Sequence, residues 1–379
     1  MRILVAGATG YVGSRLVAEL IVNGHHVVAA TRNPGKLGWF GWCDQVTAVA
    51  LDADDPATVD SAFTVAGPID VVYYLVHAIG QPGFRDRDNA AAANVAAAAA
   101  RAGVRRIVYL GGFVPDVDNL SEHLAGRAEV AEALTVEGGP EVVWLGAAVI
   151  IGAGSTSFEL VRYVGDRFWI IPLPSWADHR MDPISIRDVL YYLLAAADPD
   201  QVRPDAYDIV GPTTTTYRGL LQSYIRAVGT TRAGLPVHEI VPKAVLGRLA
   251  GVVVPVPTGL AADLIESLDL PMTASDTVLR DHVPDPPGGL TGIHDAVEAA
   301  LSSHTRRPVD ELADPHHLAD SDPRWAGGDT LRLQQVVGTV TPAVVRPALR
   351  LFKAVPGPLA GVLRTGLDLL LTIAKVNAV

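Results

Sequence analysis

"RILVAGATGYVGSRLVAELIVNG", residues 2–24, decides the fold. A short apolar run at 2–6 reads as a strand, and "SRLVAELIVNG" reads as a helix that stops at Asn23-Gly24. Between them lies Gly7-x-x-Gly10-x-x-Gly13. That placement gives the glycines separate tasks: Gly7 for a tight turn, Gly10 for close backbone approach of a pyrophosphate, Gly13 for helix-on-strand packing. The helix N-terminus then offers free N–H groups and partial positive charge to phosphates. Thr9, Tyr11 and Val12 complete this expected dinucleotide loop.

Working outward, short β-branched runs alternate with helical patterns. Strands are expected at about 2–6, 26–31, 46–51, 70–76, 105–110 and 141–146. This alternation predicts an α/β fold, a Rossmann-type doubly wound parallel sheet, over residues 1–150. "AAAANVAAAAARAG" predicts a helix packed closely on the sheet, with Asn94 as its polar break. From 151 to 304 the pattern loosens into a smaller substrate domain, with "YDIVG" at 207–211 expected as one more strand of the sheet. Residues 305–330 are polar and Pro-containing and read as a linker.

The segment 331–379 differs in kind. Its six basic residues (Arg332, Arg346, Arg350, Lys353, Arg364, Lys375) face the single acid Asp368. The segment is thus +5 in a chain of net charge −11, which leaves −16 on residues 1–330. It reads as a cationic amphipathic helical tail, either resting on an anionic membrane surface or docking on the protein or a second copy.

Composition excludes several classes. With 49% hydrophobic and 19% charged residues the chain is globular, not disordered. The acidic balance argues against general nucleic-acid binding. Cys43 stands alone, so no disulfide framework or thiol-rich metal site is expected, and a reducing, cytoplasmic compartment fits. The opening lacks the order of a secretory signal, and no window reaches a membrane span. The histidines at 238, 316 and 317 lack metal-ligand spacing, so no metal is expected.

The end of the second strand selects the dinucleotide. An acid there would hold a ribose 2′-hydroxyl, whereas this chain has Arg32 with Lys36 close behind. That pair suits a 2′-phosphate, so NADP(H) is expected in preference to NAD(H). Asp52, followed by Ala53, either accepts from the adenine amine or caps the next helix. Val76 and His77 close the fourth strand and are expected near the pyrophosphate or nicotinamide end.

The motifs "GATGYVGSRLV", "TRNPGK", "VVYYLVHAIG", "RRIVYLGG" and "AAVIIGAGSTSFELVRYV" resemble the atypical extended short-chain dehydrogenase/reductases. The closest likeness is to the bacterial NAD(P)H-binding branch called NmrA-like or nucleoside-diphosphate-sugar-epimerase-like. "DPISIRDVLYYLL" and "YDIVGPTTTTYRGLL" extend the likeness to about residue 304. The resemblance implies a catalytic Tyr-x-x-x-Lys after the fifth strand and a serine at that strand's end. Here the matching slot holds His123-x-x-x-Arg127, and the strand ends in Gly111-Gly112. Histidine can exchange protons near neutrality, and arginine can bind oxygens but cannot shuttle a proton. Arg127 is expected to hold His123 neutral.

For the substrate, Arg180 is expected to face an anion, with Phe158 and Trp176 lining an apolar pocket. Two functions follow. One is an NADPH-dependent oxidoreductase on an apolar carbonyl or enone, with His123, Arg127 or His77 assisting at the oxygen. The other is a catalytically silent NADP(H)-binding sensor or assembly protein, associated in one version with the inner face of the membrane.

Overall fold

A computed structural model describes residues 1–78, 83–113, 122–237, 255, 270–275, 277–302, 305–329 and 331, with backbone alone at 122–125. The first half runs β1 (Arg2–Ala6), α1 (Tyr11–Val22), β2 (His26–Thr31), β3 (Thr47–Ala50), α2 (Pro56–Ala66), β4 (Val71–Tyr74), α3 (Phe84–Arg101), β5 (Arg106–Gly112), α4 (Glu122–Leu134) and β6 (Glu141–Ala147). Each expected strand is found, trimmed by one to two residues at some ends and lengthened at the C-terminal end of β5.

The second half runs β7 (Ile150–Ile151), α5 (Thr156–Arg167), β8 (Ile170–Leu173), β9 (Arg180–Met181), β10 (Ile184–Ser185), α6 (Ile186–Ala196), β11 (Ala206–Asp208), β12 (Thr215–Thr216), α7 (Tyr217–Val228), β13 (Ala233–Pro236), α8 (Leu279–His282) and α9 (Ile293–Ser302). The main sheet has the order β11-β6-β5-β4-β1-β2-β3. All its pairings are parallel. The expected strand at 207–211 is β11, beside β6. Strand order reverses between β1 and β4, where doubly wound folds open a crevice for ligands.

Both faces of the sheet are covered, as an all-parallel sheet requires. α1 and α6 pack on one face through Leu16, Leu20, Val189 and Leu193, all fully buried. α2, α3 and α4 cover the other, where Ala92, Ala96 and Ala99 let α3 approach closely. Asn94 ties α3 to the loop after β3, donating to the Ala53 carbonyl at 2.9 Å. A separate core joins α5, α7 and α9 around Phe158, Leu220 and Ala296.

The expected linker is instead part of the packed body. Residues 305–329 contain buried Leu318, Ala319 and Ala326 and the buried polar groups His316, Asp322 and Asp329. Its acids read as solvated because their partners lie far away in sequence. Arg15 of α1 meets both carboxylate oxygens of Asp322, at 2.9 and 2.8 Å. Arg15 also donates to the carbonyls of Pro315 (2.9 Å) and His317 (2.8 Å). Arg167 makes a second bidentate pair with Asp329, at 2.7 and 2.6 Å. The expected tail at 332–379 lies outside the described residues.

The Arg15–Asp322 pair has both side chains about 1% exposed. Removing one partner leaves an uncompensated buried charge, which costs about 3–5 kcal/mol. We therefore expect Asp322→Ala to lower unfolding free energy by about that amount in urea titration. Wild-type stability in the variant would remove this pair from the account of the fold.

Candidate functional site

The glycine loop takes up the expected conformation. Gly7 has φ +90°, and a Cβ there would meet the Leu75 carbonyl oxygen at 2.8 Å. Gly10 caps α1, and its N–H donates back to Gly7 O at 2.9 Å. A Cβ on Gly13 would stand 2.2 Å from Gly7 O, so only glycine permits this helix-on-loop contact. Before Gly10 there is room: its absent Cβ would have Gly7 O, at 3.3 Å, as its single near neighbour. The first turn of α1 has no acid and no side-chain cap, so its N–H groups keep their capacity for an anion.

Thr9 is half-buried in the loop, and Val12 packs against the core. Tyr11 contributes its backbone to the first turn, but its side chain turns inward. Its ring lies under the Arg15 guanidinium at 4.1 Å, and its hydroxyl is buried with no partner among the described residues. A Cβ on Gly152 would strike that hydroxyl. Any part Tyr11 takes in the dinucleotide loop is therefore through its backbone.

At the ribose end, Arg32 follows β2 and is exposed, as is Lys36. Asn33 folds the chain there into a short 3₁₀ turn (Pro34–Trp39) by accepting from Gly35 N. Asp52 is half-buried; its N–H donates to Thr58 Oγ1 at 3.1 Å. The cap of α2 is Asp55, three residues beyond Asp52. Ala53 is buried and holds Asn94 through its carbonyl.

The nicotinamide end gathers the groups with chemical capacity. After β4 the chain passes through half-buried Val76 and exposed His77. The next N–H, of Ala78, donates to Asp88 Oδ1 of α3 at 2.7 Å, which anchors the His77 loop. Although open to the crevice, the imidazole is pushed down to about 4, first by loss of surrounding water and second by the Arg127 charge. Both causes favour the neutral form, so His77 is uncharged at pH 7.

Arg127 stands where the motif spacing placed it. Its Cγ is 3.8 Å from where a Cβ on Gly112 would be, at the end of β5. The slot of helix residue and strand-end residue is therefore real, with a guanidinium and a glycine in it. The His123 side chain, and with it the expected effect of Arg127 on it, lies outside the described residues; the Arg127 charge does act on His77. Arg127 also faces Tyr74, Tyr109 and Asp88. α4 is held beside α3 by Glu129, which accepts from Arg85 and Asn89 at 2.8 Å each.

Sequence reasoning missed Asp88. Tyr74, Tyr109 and Trp144 sit in register across β4, β5 and β6, with ring centroids 6.1 and 6.2 Å apart. Tyr74 is buried, yet its hydroxyl has no partner among the described residues. Parallel register could have revealed this row, but the link from Asp88 to Ala78 has no local signature.

Two of the three expected substrate residues are core. Phe158 is fully buried edge-on to Tyr224, and Trp176 packs edge-on to Tyr217. Their spacing signalled packing, not a pocket. Arg180 is exposed and lines a cleft of about 530 Å³ with Asp178, His179, Asp182, Thr214 and Thr273. This lining mixes charged and hydroxyl side chains with Pro271 and Ala274, and neither Phe158 nor Trp176 belongs to it. Asp182 Oδ1 and His179 Nδ1 are buried without partners among the described residues.

The cleft adjoins the crevice through residues 270–275. Ala274 N donates to Asp182 Oδ2 at 3.0 Å, and Ser275 donates to Asp208 Oδ2 at 2.7 and 2.9 Å. Asp208 Oδ1 would lie 2.9 Å from a Cβ on Gly146, which itself would be 3.2 Å from Gly112 O.

Two outcomes test this geometry. Gly13→Ala forces a backbone shift in the loop, and we expect at least about a tenfold loss of dinucleotide affinity by fluorescence titration. Undiminished binding would place the phosphates elsewhere. For His77, folding disfavours the proton, so between pH 6.5 and about 4 the unfolded chain binds it and the folded chain does not. The stabilising contribution is present above that window and is lost as pH falls through it. We expect the His77 ring to titrate near 4 by NMR and somewhat higher in Arg127→Gln, which removes the second of its two causes. A wild-type midpoint above 6 would contradict the crevice electrostatics.

Residues 7–134 match the NAD(P)H-binding family. An uncharacterised Mycobacterium tuberculosis protein is 35% identical over 121 residues, 32% of this chain and 13% of that protein. The chain thus spans only about an eighth of the curated relatives it matches. A nucleoside-diphosphate-sugar epimerase from Staphylococcus aureus superposes with a TM-score of 0.62 at 18% identity, over 79% of this chain and 100% of that one. UDP-glucose 4-epimerase from Bifidobacterium longum, solved with NAD+ and UDP, gives 0.59 at 13% identity, over 79% and 97%. Residues 7–134 thus match an NAD(P)H-binding family, and the fold of the chain is the one these epimerases share.

Proposed function

We propose that the protein is an NADP(H)-dependent oxidoreductase acting on a small carbonyl substrate through a non-standard active site. The observation that carries this reading is the contact of Arg127 with Gly112 beside the His77 loop. Bound along the glycine loop, the dinucleotide would supply the hydride. The first-turn N–H groups of α1 would hold its pyrophosphate, and Arg32 and Lys36 would meet a 2′-phosphate.

Around the reacting carbonyl the chain offers two donors of different kinds. Arg127 keeps its charge and can stabilise negative charge developing on oxygen. Neutral His77 can polarise the carbonyl through an N–H but is a poor proton donor at pH 7. Glycine at 112 removes the strand-end hydroxyl and leaves room beside Arg127. The final proton therefore comes from solvent in this reading. Arg180 and the threonines of the mixed cleft favour a substrate that carries an anionic or hydroxyl-bearing portion.

One observation favours a second reading, a silent NADP(H)-binding sensor or assembly protein. No tyrosine, lysine or serine occupies the slot, and arginine cannot exchange protons. Titration with NADPH and NADH followed by a carbonyl panel separates the two. Turnover supports the oxidoreductase, binding without turnover supports the sensor, and failure to bind either dinucleotide defeats both. We expect Arg32→Asp to weaken NADPH by about 10–100-fold and NADH by far less, the loss of a charged hydrogen bond to phosphate. An unchanged preference would remove Arg32 from the selection of cofactor.

A further inference from the structure

We infer that Arg15 and Asp322 are positioning residues for the dinucleotide: through their pair, the strap at 305–329 sets the phosphate-binding turn of α1. The inference rests on the dinucleotide lying along the glycine loop, and it makes strap docking and cofactor affinity one linked equilibrium. The first turn of α1 is held by a clamp. Tyr11 opens the helix directly after the Gly10 cap, and its N–H is among those left for a phosphate. Its carbonyl accepts from Arg15 Nη1 at 3.1 Å, and its ring lies under the same guanidinium at 4.1 Å. Its hydroxyl packs so closely on the following half of the molecule that a Cβ on Gly152 would stand 2.2 Å from it. Main chain and side chain of this one residue are therefore both fixed.

The clamp is completed from far along the chain. Beyond its bidentate pair with Asp322, Arg15 Nη2 reaches Ala153 O at 3.3 Å and His317 O at 2.8 Å. Asp322 is itself pinned: its Oδ2 accepts from Ala319 N at 2.7 Å, and a Cβ on Gly154 would stand 2.7 Å from its carboxyl carbon. Fully buried Glu159 accepts from Gly154 N at 3.1 Å and from Gly327 N at 3.0 Å, which ties the 152–155 turn to the strap a second time. Arg15, Asp322, Glu159 and Arg162 are all buried and carry two charges of each sign, so the network closes on itself electrostatically.

A buried charge network has few satisfied arrangements, so it behaves as a two-state joint and not as a gradual one. With the strap docked, Arg15 has its acceptors and Tyr11 is fixed. With the strap away, the guanidinium loses Asp322, Pro315 and His317 together and turns to water, which releases the Tyr11 carbonyl and ring. The first-turn N–H groups then lose the preorganised geometry that holds a pyrophosphate. The effect is reciprocal: whatever the strap adds to dinucleotide affinity, the dinucleotide adds to strap docking. Arg15 acts on binding through the position of Tyr11, not by touching the cofactor.

Hydrogen exchange of the full-length protein, read by mass spectrometry with and without saturating NADPH, tests the inference. In the wild type we expect NADPH to slow exchange in residues 315–329 at least about fivefold. Arg15→Lys keeps the charge, but one ammonium cannot serve Asp322, Tyr11 O, Ala153 O and the strap carbonyls together. In this variant the slowing should persist in residues 1–24 and disappear from 315–329. Its NADPH affinity, titrated where circular dichroism shows it fully folded, should fall at least about fivefold. A purely structural role would lower its melting temperature and leave that affinity unchanged. Wild-type binding of NADPH without slowing in the strap overturns the inference whatever the variant's stability, as does equal strap slowing or equal affinity in the variant. Failure of the wild type to bind NADPH or NADH defeats the cofactor reading as well, and is recognised by the absence of slowing in residues 1–24.

Discussion

One guanidinium joins three parts of this molecule. Arg15 lies in α1, the helix whose first turn is prepared for phosphate. It spends its donors on Asp322, on the carbonyls of Pro315 and His317, on Ala153 after β7, and on Tyr11 in its own helix. A charge this deeply buried is tolerated only when paired and fully hydrogen-bonded. The consequence is geometric. The glycine loop, the segment leading into α5 and the strap at 305–329 cannot move independently while Arg15 stays satisfied. Ala153 N donating to His316 O at 2.9 Å adds a backbone link to the same junction.

The opposite side of the crevice is held differently. There α3 and α4 approach through small side chains, and charge is left at the lip. Asp88 fixes the His77 loop, Glu129 fixes α4 to α3, and Arg127 faces both the loop and the aromatic row. Glu129 is pushed down to about 2 by the hydrogen bonds from Arg85 and Asn89, so it stays charged wherever the protein is folded. The glycine-loop side is thus closed by buried pairs and the α3/α4 side by accessible ones.

What could be read from sequence follows from how local each signal is. The strand-glycine-helix unit and the six strands were legible because their periodicity and spacing are contained within ten or so residues. β11 was legible from a single apolar run. The strap was not: Asp322 finds its partner 307 positions away, and a polar stretch reads as solvated until that partner is known. Phe158 and Trp176 illustrate a second limit, since aromatic spacing is the same for a core and for a pocket wall. The β8/β13 pair illustrates a third. "FWIIPLP" has no strand companion in its neighbourhood, because β13 arrives some sixty residues later. Arg127 and Gly112 were legible as neighbours, but the effect of the arginine's charge on His77 depends on how β4 and α4 meet in space.

The slot also constrains what chemistry can evolve on this scaffold. A tyrosine–lysine pair stores a transferable proton and a cation that makes it acidic. Glycine and arginine keep the cation, discard the proton and open space. His77 cannot supply that proton by itself, because loss of surrounding water, reinforced by the same arginine, keeps the imidazole neutral. The two groups are therefore coupled in opposite senses: strengthening electrostatic stabilisation at the oxygen weakens proton donation beside it. A site built this way favours steps in which charge is stabilised and the proton arrives from water, and it is poorly suited to steps that need an acid held in place. That asymmetry, set by one guanidinium between β5 and the His77 loop, is the physical difference between this protein and a standard member of its fold.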